Sequence, residues 1–329
     1  MKKIKVIELG GTISAKGRDR LDLKDYTSGK FTGETFTEDI PEIATVADVT
    51  FESFLRVSST AVRTEHWIQL RDKVITDLVD GDYDGLVITH GTNTLEETAY
   101  FLHLTIPTTK PIVLVGAQRP YTALSTDAHY NLLQAIRVAA SDAAHGFGVL
   151  VVLNDEISSA REATKTNTYR LEAFQSGQLG FLGYVDPDKK VHLYRKPTKK
   201  HTIDSEFATM GFSNLPEVEI IYSYAGASDH LIDAVAQNDA YRGIVTAGTG
   251  AGLISPDELS ALERATEAGL VVVRSSRVGN GRVMGVAPYE NHPFIAADNL
   301  LPQKARILLM LALEKYGGQG PLQRIFDEY

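Results

Sequence analysis

The apolar positions of this chain fall into two rhythms. Short, nearly continuous apolar runs, several of them rich in β-branched residues, occur at residues 4–9, 51–57, 85–89, 111–115 and 148–153. Runs of that length predict strands buried on both faces, as in a parallel sheet covered by helices. Between them the spacing changes. Trp67, Leu70, Val74, Leu78 and Val79 recur at helical intervals and predict a helix over residues 64–79. Leu132, Leu133, Ile136, Val138 and Ala139 mark another helix. A polar, unperiodic stretch follows, with Pro187, Lys189, Lys190, Lys196, Pro197, Lys199, Lys200 and His201. The alternation then resumes, with strands at 218–222, 243–246 and 270–273 and helices at 229–236, 256–268 and 302–315. Pro256 suits the first turn of a helix capped by Ser255. The pattern predicts an α/β protein of two domains. A larger N-terminal domain, residues 1–195, holds a mainly parallel sheet covered by helices. Residues 196–216 form a linker, and residues 217–329 form a smaller α/β domain.

The polar signals gather just after the strands, at the edge where open α/β sheets hold ligands. The stretch from Asp84 to Tyr100 is the clearest case. A strand over 85–89 breaks at His90-Gly91, and Thr94-Leu-Glu-Glu97 fits a capping box opening a helix. Thr92 lies ahead of that cap, leaving its hydroxyl free to face a ligand, near a helix N-terminus with unpaired N–H groups. The first strand ends the same way, at Gly10-Gly11-Thr12. Residues 15–36 are polar and aperiodic, a length that marks a functional lid or a disordered segment, with Tyr26 inside it.

Composition narrows the function classes. The chain has 329 residues, about two domains' worth. The net charge of −9 and the absence of a basic block argue against nucleic acid or an anionic membrane as partner. There is no cysteine, which excludes disulfides, thiolate chemistry and Cys-ligated metals. No apolar run approaches about 18 residues. The charged start, Met1-Lys-Lys, leads into no signal-peptide core, because Glu8 and Gly10-Gly11 interrupt it. A soluble cytoplasmic protein is the expectation.

Threonine is a weak nucleophile and needs a basic or polarising neighbour. Lys165, within Arg161-Glu-Ala-Thr-Lys-Thr-Asn-Thr168, could supply one, since a desolvated lysine loses its proton more readily. Tyr26 could relay a proton from the lid. Each of these residues also has a plainer reading: turn and cap threonines, a solvated lysine, a tyrosine that anchors its loop. Gly248-Thr-Gly-Ala-Gly252 is not a dinucleotide fingerprint, because Leu253 follows it. No Walker loop or His-Glu-x-x-His pattern occurs, and Ser58-Ser59 is not in a nucleophile elbow. The sequence thus calls for no metal and no cofactor.

Glu8-Leu-Gly-Gly-Thr-Ile-Ser14, Ile88-Thr-His-Gly-Thr-Asn-Thr-Leu-Glu-Glu-Thr-Ala-Tyr-Phe101, Val115-Gly-Ala-Gln-Arg-Pro120, Ala163-Thr-Lys-Thr-Asn167, Val272-Val-Arg-Ser-Ser-Arg277 and Pro302-Gln-Lys-Ala-Arg306 together resemble the bacterial-type L-asparaginase (asparaginase/glutaminase) family, in order and over essentially the whole chain. The resemblance implies a cofactor-free amidohydrolase of asparagine catabolism. It also implies a homotetramer, a dimer of intimate dimers in which the partner's second domain completes each site. By the same resemblance Thr12 is the nucleophile and Tyr26 sits on the lid. Thr92 and Lys165 activate Thr12 or the deacylating water, Ser59 holds the substrate α-carboxylate, and the Ala117 carbonyl receives the amide nitrogen.

Three positions depart from the family pattern. Asn93 stands where Asp is usual, Thr60 where Gln is usual and Ala251 where Asn is usual. All three usual residues serve the substrate α-ammonium. Glu290 is the nearest counterpart of the partner-supplied glutamate that also faces it. Three readings follow. The first is a hydrolase of asparagine. The second is a hydrolase of a related ω-amide lacking a free α-ammonium, such as an N-substituted or 2-oxo derivative. The third is a non-catalytic small-molecule binder on the same scaffold.

Overall fold

A computed structural model describes residues 1–329, which divide into two compact units, Met1–Gly211 and Phe212–Tyr329. The first unit is built on an eight-stranded sheet. Its strands are β1 (Lys3–Gly10), β2 (Asp48–Val57), β3 (Gly85–Thr89), β4 (Ile112–Val115), β5 (Val149–Leu153), β6 (Glu156–Ser159), β7 (Gly183–Val185) and β8 (Val191–Leu193), in the spatial order β8-β7-β6-β5-β4-β3-β1-β2. Strands β1 to β5 run parallel. The sequence did not announce β6 to β8, an antiparallel extension of three and four residues per strand with polar positions in each. Such short strands carry too little periodicity to stand out.

Side chains alternate across the sheet. Val6, Val87 and Val113 face one layer with Leu132, Leu133 and Ile136 of α5 (Ala128–Ala139). Phe36 of α1 (Gly33–Asp39) and Ile43 of α2 (Ile43–Val46) join the same cluster. The other layer contains α3 (Thr64–Val74) and α4 (Leu95–Thr105), where Trp67 stacks on Phe101 with ring centroids 5.5 Å apart. Two expectations change in detail. The helix predicted over 64–79 is α-helical to Val74 and continues as one π turn, Ile75–Val79. The long polar loop 15–36 is partly structured. Lys16–Gly17 pairs with Tyr26–Thr27, and α1 begins at Gly33 because Phe36 has a core to fill.

Within residues 196–216, His201 to Ala208 pack into the first unit. His201 lies 4.8 Å from His103 between ring centroids, and Ser205 Oγ donates to the Leu104 carbonyl at 2.6 Å.

The second unit is a four-stranded parallel sheet of β9 (Glu217–Tyr222), β10 (Tyr241–Gly248), β11 (Val271–Ser276) and β12 (Ile295–Ala296), in that spatial order. Ile221, Ile244 and Val272 face α6 (His230–Ala236) and α7 (Pro256–Glu267). On the opposite face, Gly243 meets Leu309 and Leu313 of α8 (Pro302–Tyr316). Ser255 caps α7 with Pro256 in its first turn, as expected, and Glu258 completes a capping box with it. A last helix, α9 (Leu322–Glu328), was not expected from the sequence. No helix is long and apolar enough to cross a membrane.

Candidate active site

Strand order locates the site. From β1 the chain goes to β2 on one side, then to β3, β4 and β5 on the other. The reversal leaves a crevice beyond the C-terminal ends of β1 and β3, where open sheets bind ligands. Both strands end in a glycine-threonine turn. Gly10 and Gly11 have φ of +94° and +82°, a region that only glycine enters freely. A Cβ on Gly11 would lie 2.3 Å from Gly91 Cα, so the two turns touch backbone to backbone. Thr12 and Thr92, each the next residue along, leave this contact side by side in the fold, both buried.

Each threonine has its own partner. Thr12 Oγ1 and the Tyr26 hydroxyl are 3.0 Å apart. Tyr26 is half-buried on the short ladder of the 15–32 loop. Lys165 Nζ donates to Thr92 Oγ1 at 2.8 Å and to Asn93 Oδ1 at 3.2 Å. Burial pushes the Lys165 ammonium below its usual pKa, while the nearby Glu96 carboxylate opposes the shift. The strand Thr164–Lys165 is pinned by its ladder with Phe174–Gln175 and by Glu96 Oε2, which accepts the Lys165 N–H at 2.7 Å.

The capping box expected at Thr94 does not form. The Thr94 hydroxyl donates to the Ser59 carbonyl at 2.8 Å instead, tying the turn after β3 to the turn after β2. That contact, together with the approach of Gly91 to Ser59, fixes Ser59 at the crevice: a Cβ on Gly91 would lie 2.8 Å from Ser59 Oγ. Ser59 is buried, whereas Thr60 is exposed with its hydroxyl 2.9 Å from that of Ser58. Ala117 is buried, and the two residues after it are held by Asp127, whose carboxylate accepts from Gln118 N–H and Arg119 N–H at 2.9 Å each. The Cβ position of Gly116 falls 2.8 Å from Thr92 Cγ2, so this third turn adjoins the second.

The structure thus brings Thr12, Tyr26, Thr92, Lys165, Asn93, Ser59 and Ala117 to one sheet edge, with Thr60 beside them but turned outward. Glu290 belongs to the second unit, exposed after the 3₁₀ turn Ala287–Tyr289. Ala251 is also exposed there, in the turn between Thr249 and Leu253.

Sequence reasoning missed a buried support behind the second turn. His90 Nδ1 lies 2.8 Å from the Gly91 carbonyl, Thr98 Oγ1 lies 2.9 Å from His90 Nε2, and Trp67 Nε1 donates to Thr98 Oγ1 at 2.9 Å. Trp67 can only donate, so the Thr98 hydroxyl donates onward to Nε2 and the His90 proton sits on Nδ1. Burial lowers the His90 pKa to about 4, with the Gly91 carbonyl opposing, so the ring is neutral at pH 7. The eight-residue spacing of His90 and Thr98 was visible. The Trp67 contact, across two helices, was not. Glu96 also acts on a backbone N–H far away in sequence, that of Lys165, which no local pattern announces.

The comparisons with known proteins agree with this architecture. Residues 3–199 match the family model described as Asparaginase, N-terminal, and residues 217–326 match the Glutaminase/Asparaginase C-terminal domain. The chain is 41% identical over 326 residues to L-asparaginase 2 of Bacillus subtilis (strain 168), covering 99% of this chain and 86% of that one. It is 42% identical over 328 residues to a glutaminase-asparaginase of Pseudomonas fluorescens biotype A, covering 98% and 90%. A solved structure described as a probable cytoplasmic L-asparaginase from Campylobacter jejuni superposes with a TM-score of 0.96 at 39% identity, covering all of both chains. With both domain families matched in order along a two-domain α/β fold, this chain belongs to the asparaginase family.

Proposed function

We propose that the protein hydrolyses the side-chain amide of L-asparagine to L-aspartate and ammonia through a threonine acyl-enzyme. The observation that carries this reading is the pair of touching glycine-threonine turns, one hydroxyl on a tyrosine and the other on a half-buried lysine. Thr12 Oγ1 attacks the amide carbon while its proton passes to the neighbouring hydroxyl network. The new C–O bond forms, the C–N bond breaks, and the nitrogen leaves as ammonia after taking a proton. Water then cleaves the ester and restores Thr12. Lys165, less basic than a free lysine, draws the proton from Thr92 and makes that hydroxyl a base toward the attacking water or Thr12. Backbone N–H groups at the turn hold the oxyanion. Ser59 takes the substrate α-carboxylate, and the Ala117 carbonyl receives the departing nitrogen.

A second reading is favoured by one observation: the Asn93 carbonyl oxygen is engaged by Lys165, and the Thr60 hydroxyl by Ser58. Neither residue brings a carboxylate to a substrate ammonium. An ω-amide whose α-nitrogen carries no charge avoids the uncompensated burial of that ammonium. If free asparagine is nonetheless the substrate, Glu290 of a partner chain in a homotetramer of intimate dimers supplies the missing charge. The cytoplasm is the proposed compartment, in line with the description of the Campylobacter neighbour, although a Haemophilus influenzae relative, 39% identical, is named a probable periplasmic L-asparaginase.

The test is ammonia release from L-asparagine, with Thr12→Ala as control. Release by the wild-type protein that vanishes in the variant supports the reading. Equal release by both, or none by the wild-type protein, contradicts it.

A further inference from the structure

The first unit contains a cleft of about 620 Å³ to which the reaction proposed above assigns nothing. Three loops wall it: residues 18–24, Gln118 with Arg119, and Tyr169 with Arg170. Each loop runs on from a residue of the proposed reaction centre. Residues 18–24 form the tip beyond the ladder in which Tyr26 pairs with Gly17. Arg119 follows shortly after Ala117. An extended chain covers at most about 3.6 Å per residue, so the two Cα atoms are within about 7 Å of each other. Tyr169 and Arg170 come after the strand that carries Lys165. The first loop is fastened to the second, since the Gly17 N–H donates to Thr122 Oγ1 at 3.0 Å and the Leu124 N–H donates to the Arg20 carbonyl at 2.7 Å. The cleft thus adjoins Tyr26 and Ala117, the side on which the reaction above releases the ω-amide nitrogen.

The charges of the cleft do not cancel. Its carboxylates, Asp19 and Asp22, are both engaged within their own loop. Asp22 and the neighbouring Asp25 each lie 2.8 Å from the Arg18 guanidinium, and Asp19 accepts the N–H groups of Leu21 and Asp22. Lys24, Arg119 and Arg170 line the cleft as well, and none of them pairs with a carboxylate. The Arg119 guanidinium donates to the Ser125 carbonyl at 2.7 Å, which steadies it without neutralising it. Arg170 is set by its backbone, since Asn167 Oδ1 accepts the N–H groups of both Tyr169 and Arg170. Beside the cations, Leu21, Leu23 and Tyr169 offer exposed apolar surface. Departing ammonia needs neither the space nor the cations, and once protonated it is repelled by them. A larger amine that carries a carboxylate and an apolar side chain is served by both.

We propose that this cleft is a leaving-group subsite and that the enzyme also cleaves β-aspartyl dipeptides, in which the side-chain carbonyl of aspartate is joined to the amino group of an apolar amino acid. The inference rests on the threonine acyl-enzyme reading above, and it leaves the α-carboxylate and α-ammonium of the aspartyl part where that reading puts them. The amide nitrogen of such a substrate keeps one hydrogen for the Ala117 carbonyl, and the second amino acid replaces the other. Its carboxylate meets Arg119 and Arg170, and its side chain lies on Leu21 and Tyr169. Thr12 Oγ1 forms the new C–O bond to the side-chain carbonyl carbon and the C–N bond breaks. The nitrogen takes a proton from the hydroxyl network and leaves as the amino group of the free amino acid. Water then cleaves the same aspartyl ester and restores Thr12.

The experiment follows leucine release from β-aspartyl-leucine, leucinamide release from β-aspartyl-leucinamide and ammonia release from L-asparagine. The full-length wild-type protein is compared with Thr12→Ala, Arg170→Gln and Arg119→Gln/Arg170→Gln. The expected wild-type kcat/KM for β-aspartyl-leucine exceeds that for the leucinamide, which lacks the carboxylate, by about tenfold, as a charge-assisted contact implies. The exposed Arg170→Gln weakens that preference, the double variant abolishes it, and asparagine turnover stays unchanged in both. Thr12→Ala releases no product from any of the three. Asparagine turnover without leucine release overturns the subsite and leaves the acyl-enzyme reading standing, and so does equal turnover of the two peptides. Leucine release that persists in Thr12→Ala also overturns the subsite. A double variant that slows all three substrates alike, with Arg170→Gln leaving the preference intact, assigns Arg119 to structure and overturns it too. A wild-type protein that turns over none of the three overturns the acyl-enzyme reading itself, and the subsite with it.

Discussion

The two glycine-threonine turns begin from the same local sequence device and end in different surroundings. The turn after β3 is backed by a dry chain of hydrogen bonds, His90 to Thr98 to Trp67, and its Thr92 is met by a lysine whose own backbone is held by Glu96. The turn after β1 has no such backing. Its Thr12 meets a tyrosine from a loop of charged, exposed residues, and a buried carboxyl, Glu8, lies just upstream on the strand. Glu8 pairs in register with Thr89, so the two turns differ even in the residues that precede them. Burial lifts the Glu8 pKa to about 7, against Arg56 and the Gly33 N–H, which pull it down. The difference teaches a division of labour. In the proposed mechanism the well-supported second turn serves as the base assembly, and the first, with less buried support, carries the nucleophile.

The comparison is broken most severely at its hydroxyls. Thr12→Val and Thr92→Val should each reduce asparagine turnover by several orders of magnitude with the fold intact, read by steady-state ammonia release and circular dichroism. Near-normal turnover by either variant at matched folding removes the two-threonine mechanism.

Loosening the fixed half should cost less. Glu96→Gln keeps an acceptor for the Lys165 N–H but removes the charge that holds the lysine, and a small misplacement of a catalytic group costs up to about a hundredfold. The expected loss is about tenfold to a hundredfold in kcat with KM little changed. Unchanged kcat would show that Lys165 needs no support from α4.

A smaller effect comes from giving Lys165 a carboxylate. In Asn93→Asp an anion would sit where the Asn93 oxygen now lies, 3.2 Å from Nζ. It stabilises the ammonium form and raises the Lys165 pKa. In the proposed mechanism the deprotonated lysine is the active form, so activity would rise with pH through that pKa. The acid limb of the kcat profile should therefore move to higher pH, by about one unit or more. The same variant should lower KM for asparagine without helping amides that lack the α-amine. An unmoved acid limb together with an unchanged KM contradicts both roles.

The smallest expected effect concerns stability. The Glu8 carboxyl is easier to protonate folded than unfolded, so its contribution is fully present below its unfolded value of about 4.3 and lost as pH rises through about 7. Glu8→Gln should then stabilise the protein at pH 8 relative to wild type, by on the order of 1 to 3 kcal/mol, and change little near pH 4. Denaturant melts at the two pH values check this. A pH-independent difference would assign Glu8 to ordinary packing.

Much of this molecule was legible in its sequence. The parallel strands are nearly continuous apolar runs because both of their faces are covered, and Thr12 and Thr92 stood out because glycine turns followed those runs. The resemblance supplied the roles. What stayed hidden depends on which loops meet. Asn93 read as a substrate contact, and the contact of its oxygen with Lys165, a residue 72 positions away, was not foreseen. Thr94 read as a cap, yet its hydroxyl serves Ser59, 35 positions away. Local patterns report local geometry, and both the Thr94 hydroxyl and the Asn93 oxygen have partners that only tertiary structure brings near. The antiparallel strands β6 to β8 were missed for another reason: strands of three or four residues hold too few positions to show a period.

The central claim is that Thr12 is the acylated residue and that Thr92 with Lys165 serves as the base. Rapid quench of a slowed Lys165→Met protein with L-asparagine, followed by peptide mass spectrometry, tests it most directly. The account predicts an aspartyl ester on the peptide containing Thr12, absent in Thr12→Val. An adduct on the peptide containing Thr92, or turnover of asparagine with no adduct on either peptide at any time, would contradict it.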